Sequence, residues 1–132
     1  MSDIRQGLRY TEEHEWAALS KDGAIRVGIT DHAQCLLGDI VYVDVPPVGT
    51  PVAALQPMGT IESVKTVSDL FSPLDGVIVR VNGQLHASPE LVNEQPYEEG
   101  WLVEVAPSGD ALDALRRLLT AEQYEQLLSS AP

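Results

Sequence analysis

Apolar residues alternate with polar or small ones through the middle of the chain, the period of two that sends successive side chains to opposite faces of a strand. Ile25, Val27 and Ile29 share one face, with Arg26 and Gly28 between them. Val41, Val43 and Val45 repeat the pattern and stop at Pro46-Pro47, which cannot donate to a sheet ladder. Val77, Val79 and Val81 follow the Asp75-Gly76 turn, and Trp101, Val103 and Val105 follow Gly100. Short β-branched strands punctuated by Gly and Pro predict a mainly β domain, a small sandwich or barrel. Gly38 to Val45 and Asp75 to Asn82 resemble each other, each a glycine turn, an alternating strand and a second turn. Two pseudo-symmetric halves of a flattened barrel would produce that repeat.

The period changes in a few places. Thr30 or Asp31 can cap a short helix from His32 to Leu37, with Gly38 as its stop. Ser88-Pro89-Glu90 sets proline at a first helical position and predicts a brief turn through Val92. Leu112, Leu115, Leu118 and Leu119 form an apolar stripe. Thr120-Ala121-Glu122-Gln123 then opens a further helix as a capping box, with Tyr124, Leu127 and Leu128 inward. The expected layout is one domain over residues 1–132, a β core at about 10–106 and C-terminal helices at about 109–130 packed on it.

A chain of 132 residues buries about two-thirds of its unfolded surface and needs no disulfide or structural metal. Cys35 is the single cysteine, which excludes an internal disulfide and a cysteine zinc site. The net charge of −12 argues against nucleic acid and anionic membranes as partners. Neither a leader nor a long apolar run is visible, so the expectation is a cytoplasmic, most simply bacterial, protein. His14, His32 and His86 have no metal-ligand spacing, and no metal is expected.

Lys65 changes this picture. It is one of two lysines, the other being Lys21 in a Lys-Asp-Gly turn. Met58–Val64 and Val67–Phe71 form the expected arms of a hairpin with Lys65 and Thr66 at the tip, although Ile61, Val64 and Leu70 could instead mark a helix face. The local turn chemistry is poor, since neither tip residue favours positive φ. Three roles are open: a Schiff-base or general-base lysine, a handle acylated by a separate enzyme, or a solvated turn residue. The first needs desolvation or a neighbouring cation, whereas Glu62 and Asp69 are the sequence neighbours. The second needs a ligase, because a lysine amine with a peptide pKa of about 10.4 is protonated at neutral pH.

Glu62-Ser63-Val64-Lys65 followed by Ser68-Asp69 resembles the lipoylation motif of the H protein of the glycine cleavage system. The resemblance runs over nearly the whole chain. It takes in Tyr10-Thr11-Glu12-Glu13-His14-Glu15-Trp16, Gly28 to Gln34, Leu37 to Val41, Ser72 to Gly76, Pro89 to Asn93, Pro96-Tyr97 and Glu99-Gly100-Trp101. Gly83 departs from it, standing where family members often carry an acidic residue.

The resemblance implies a barrel-sandwich hybrid with short peripheral helices, and lipoate in amide linkage to Lys65. It implies a carrier rather than an enzyme. The aminomethyl group of glycine would pass from the P protein (glycine decarboxylase) to the T protein (aminomethyltransferase), and reducing equivalents to the L protein (dihydrolipoamide dehydrogenase). A lipoate ligase or lipoyl transferase would install the group. Glu15 and Asp69 match family positions near the resting arm, where a carboxylate could hold the loaded amine. The alternatives are an H-like paralogue relaying lipoyl groups to other apo-domains, or a lipoyl domain of a 2-oxo-acid dehydrogenase. The latter is usually shorter and continues into a flexible linker. Methionines normally flank a biotinyl lysine, whereas Val64 and Thr66 flank this one.

Overall fold

Among the described residues nine strands and five helices follow one another as β1 (Arg9–Tyr10), β2 (Glu15–Leu19), β3 (Ile25–Ile29), α1 (Asp31–Leu37), β4 (Ile40–Asp44), β5 (Pro51–Val52), β6 (Pro57–Ser63), β7 (Val67–Phe71), β8 (Gly76–Val81), α2 (Gln84–Ala87), α3 (Leu91–Glu94), β9 (Val103–Pro107), α4 (Ala111–Arg116) and α5 (Ala121–Ser130). The structure, a computed structural model, describes residues 3–130. The strands make two antiparallel sheets, one ordered β1-β2-β3-β9-β8-β5 and one ordered β4-β6-β7. The expected mainly β class, with short helices and a C-terminal helix, is what the chain adopts.

One core joins the sheets. Ile25, Val27 and Ile29 of β3, Ile78 of β8 and Val103 and Val105 of β9 pack in one cluster with Val43, Ile61 and Leu70 of the smaller sheet. Removing each such side chain from water is worth about 1.5–3 kcal/mol, so these pairs position the smaller sheet. Alternation then gives β2 a second use: Ala17 joins that core, while Trp16 points the opposite way. Trp16, Tyr10, Tyr97, Trp101, Ala121 and Tyr124 form a separate aromatic cluster. A Cβ at Gly28 would lie 2.6 Å from the Trp16 ring, so the strand beneath that ring must carry glycine.

Two expected facings are corrected. In β4, Ile40 is buried and Val41 exposed, and the register shifts between Ile40 and Tyr42. In β8, Ile78 is buried while Val77 and Val79 are exposed, with a shift between Ile78 and Arg80. An extra residue in each strand reverses the faces on either side of it, so strict alternation misplaced Val41, Val77 and Val79, while Val43 is buried as expected. Aligned on Gly38 and Gly76, the two look-alike segments carry their irregularity at the same place, in different sheets. Trp101 also precedes β9 instead of belonging to it. Inside β9, Glu104 is 1% exposed and accepts from Arg26 Nε at 2.8 Å.

The helix ends follow their local chemistry. Thr30 Oγ1 accepts from the Ala33 N–H, and Gly38, at φ +82°, ends α1. The turn expected at Pro89 appears as α3, starting at Leu91, and α2 before it was not foreseen. The capping box forms reciprocally: the Gln123 N–H donates to Thr120 Oγ1 at 3.2 Å and the Thr120 N–H donates to Gln123 Oε1 at 2.9 Å. That box aims Tyr124 inward, where it stacks on Tyr10 at 4.6 Å between centroids.

The Tyr124 hydroxyl lies 2.8 Å from both His14 Nδ1 and Thr30 Oγ1. It therefore ties α5 to the β1–β2 turn, where His14 holds φ +69°, and to the cap of α1. Tyr124→Phe keeps the ring but takes a hydrogen bond from His14 and one from Thr30, which retains the Ala33 N–H, so unfolding free energy should fall by about 1–3 kcal/mol. Urea denaturation measures this, and an unchanged midpoint would show that the hydroxyl contributes nothing net.

Candidate functional site

The β6–β7 hairpin carries the candidate lysine at its end. Glu62 pairs with Val67 and Ile61 with Ser68, leaving residues 63–66 as the turn. The Ser63 N–H donates to the Thr66 carbonyl at 2.8 Å, and Ser63 Oγ accepts from the backbone N–H groups of Lys65 and Thr66, each at 3.2 Å. A nearly buried side-chain hydroxyl thus stands in for the acceptor that a favourable turn backbone would offer. This explains a tight turn without Asn-Gly. The Val64 N–H reaches out of the hairpin and donates to the Asp39 carbonyl at 3.0 Å, fixing the tip to the α1–β4 corner.

Lys65 is exposed. Its stem crosses the corner over Gly38, where an added Cβ would meet Lys65 Cε at 2.9 Å and Nζ at 3.5 Å. No carboxylate among the described residues comes within ion-pair distance of the amine, so Glu62 and Asp69 are its neighbours in sequence without being its ion-pair partners. Register places Tyr42, Glu62 and Val67 in one row across the sheet, with Asp44, Thr60 and Asp69 in another. Tyr42, Asp44, Glu62, Val67 and Asp69 are exposed, as is Val64. The motif residues therefore split: Ser63 builds the turn, Ser68 sits on the inner row beside Ile61, and Glu62, Val64 and Asp69 face outward.

Glu15 and Asp69 are not equivalent. Glu15 is 2% exposed, on the face of β2 that carries Ala17, and it reaches across to the other sheet. Its carboxylate accepts from the Thr11 hydroxyl at 2.7 Å and from the Phe71 N–H of β7 at 3.2 Å. Burial pushes its pKa up from the usual 4.5 to about 7, against those two bonds, which pull it down. Asp69 lies two residues before Phe71, about 7 Å along the same strand. The two carboxylates bracket one stretch of β7, one sealed and one open. The sequence placed Glu15 by resemblance alone; its burial leaves only a weak signal, an acidic residue directly before Trp16.

His14 is bonded to Tyr124 and lies 4.9 Å from the His32 ring. Among the described residues no group of three His, Cys, Asp or Glu side chains could hold a metal ion. No helix among them is long and apolar enough to cross a membrane.

A family profile described as "Glycine cleavage H-protein" matches residues 8–131. A "Glycine cleavage system H protein" of Saccharophagus degradans is 46% identical over 130 residues, spanning 98% of each chain. One of Mycolicibacterium smegmatis is 50% identical over 130 residues, spanning 98% of this chain and 99% of its own. The crystal structure of a glycine cleavage system H protein from Mycobacterium marinum is similar with a TM-score of 0.84 at 41% identity, covering 96% of this chain and 99% of that one.

The raised Glu15 pKa makes stability depend on pH. The folded chain keeps a proton that the unfolded chain releases between about 4.5 and 7, so this group's contribution is complete below that window and lost above it. Glu15→Gln has no such proton. Its unfolding free energy relative to the parent should rise from pH 4.5 to pH 8 by on the order of 2–3 kcal/mol. Urea titrations at the two pH values test this; parallel changes in both proteins would refute a raised pKa.

Proposed function

The chain belongs to the glycine cleavage H-protein family, and on that premise we propose that it is a non-catalytic lipoyl carrier with lipoate in amide linkage to Lys65 Nζ. The observation that carries the reading is the presentation of this amine: exposed, without an ion pair, at the end of a hairpin whose turn is closed by Ser63. When bound, lipoate supplies a dithiolane that can take up a one-carbon fragment and electrons. The residues in place fit that group, since an extended acyl chain on Nζ leaves the tip over bare backbone at Gly38.

The chain's own work is display and containment. The pinned tip keeps the amine clear of the sheet, where a lipoate ligase or lipoyl transferase can reach it. Acylation removes one positive charge and leaves an already acidic body more negative. Glu62 and Asp69, exposed on the outer face, offer carboxylates to basic surfaces of the proposed partners, the P, T and L proteins. A protonated amine returning along β7 would meet Asp69 first and Glu15 beyond it. The cation would draw Glu15 into its ionised form and favour an ion pair shielded from water. Operation in the bacterial cytoplasm belongs to the same proposal.

Incubation with a lipoate ligase, ATP and lipoate, followed by intact mass and peptide mapping, should show one lipoyl group, on Lys65. Lys65→Arg should take up none, since Lys21 lies outside the motif. The lipoylated chain should then support glycine–bicarbonate exchange by a P protein. No modification by a ligase active on a control lipoyl domain would defeat the carrier reading. Modification and relay to other apo-domains without exchange would favour the lipoyl-relay alternative.

A further inference from the structure

The corner under Lys65 is held by a residue far away in sequence. Asn93, on α3, uses its side-chain amide three times. Its Nδ2 donates to the Gly38 carbonyl at 2.8 Å and to Gln34 Oε1 at 3.1 Å, and its Oδ1 accepts from the Ile40 N–H at 2.9 Å. The chain from the last turn of α1 to the first residue of β4 is thereby clasped on both sides of Asp39. Asp39 is the residue whose carbonyl receives the Val64 N–H of the hairpin tip. Gly38 is the residue over which the Lys65 stem lies.

The clasp rests on a firm base. Val92, next to Asn93, is fully buried in the main core. The chain leaving α3 folds back so closely that a Cβ on Gly100 would lie 2.5 Å from the Leu91 carbonyl oxygen. Gly38 has no comparable anchor. Its φ of +82° is open chiefly to glycine, and its N–H bond to the Gln34 carbonyl is the last of α1. Without the Asn93 amide, the Gly38 carbonyl and the Ile40 N–H would both need new partners, and the Gly38–Asp39 peptide could turn.

We infer that Asn93 is a positioning residue for the acyl-accepting amine: by clasping Gly38 and Ile40 it sets the surface under the Lys65 stem and the carbonyl that pins the tip, and so sets where Nζ is offered to the modifying enzyme. The inference rests on the reading of Lys65 as the attachment point. Its range is wider than that reading's motif, because nothing between Glu62 and Asp69 reports on Asn93. A displacement of even about 1 Å at a reacting atom is enough to slow a transfer severalfold to a hundredfold.

The test compares three full-length proteins: the parent, Asn93→Asp and Val105→Ala. Asn93→Asp preserves size and the acceptor for Ile40 but loses both donors, and Val105→Ala is a remote core truncation with a comparable or larger loss of thermal stability. Initial rates of lipoylation by a lipoate ligase are measured against carrier concentration, and backbone amide spectra are recorded on the apo-proteins. Asn93→Asp should lower kcat/KM by about tenfold and shift the amides of Val64, Lys65 and Thr66, while Val105→Ala does neither. Equal kcat/KM and unmoved tip amides in folded Asn93→Asp would overturn the inference, as would an equal loss in Val105→Ala. If Asn93→Asp fails to fold, Asn93→Ser, which keeps one donor, is read by the same criteria. Should the parent itself take no lipoyl group, the carrier reading fails, and the tip amides alone decide whether Asn93 positions Lys65.

Discussion

The Val64 N–H, donating to the Asp39 carbonyl, joins the two parts from which the tip is made. One is the β6–β7 hairpin, a local structure closed by Ser63. The other is the α1–β4 corner, assembled from Thr30, Gly38 and the distant Asn93. A short loop at the end of a hairpin is ordinarily mobile, because nothing beyond its own strands restrains it. Here the loop's first free N–H is used outside the hairpin, and the corner that receives it is tied to the core through Val92. The display of the lysine is thus a tertiary property, although every residue of the proposed attachment motif is local.

That division explains how far the sequence could be read. The hairpin, the α1 cap and stop and the Thr120–Gln123 box were legible because each is decided within a few residues. The main core was legible where alternation is strict, in β3 and in Val103 and Val105. It misled at Val41 in β4 and at Val77 and Val79 in β8, since a one-residue irregularity leaves composition unchanged and still inverts the faces on one side of it. The tightness of the turn was misjudged for a related reason. Ser63 acts through a side-chain oxygen, which scales of backbone preference do not register. Glu15 and Asn93 were in recognisable blocks, yet burial across two sheets and a clasp spanning more than fifty residues have no local pattern.

Electrostatics runs through the same architecture. The chain is strongly acidic, yet its carboxylates differ in kind. Glu104 is buried with arginines beside it, Arg26 bonding it and lying 4.5 Å over the Trp101 ring. Glu15 is buried with hydroxyl and backbone donors alone, so its proton affinity rises towards neutrality. Asp44, Glu62 and Asp69 stay in water on the outer face of the small sheet. Ion-paired, responsive and solvated charge are therefore kept in separate places, and the responsive one lies where the two sheets touch.

Gly38 presents the Lys65 stem with backbone and nothing else. The last methylene of that stem lies over a residue with no Cβ, and among the described residues the ammonium beyond it has no carboxylate to leave. The resting pose is then an exposed one, with bare backbone under its end. A socket would hold an arm well and release it slowly, adding its own barrier to every departure. A bearing supports without gripping, so on the proposed lipoyl-lysine the time spent on the body would be set by what the cargo at the far end can hold.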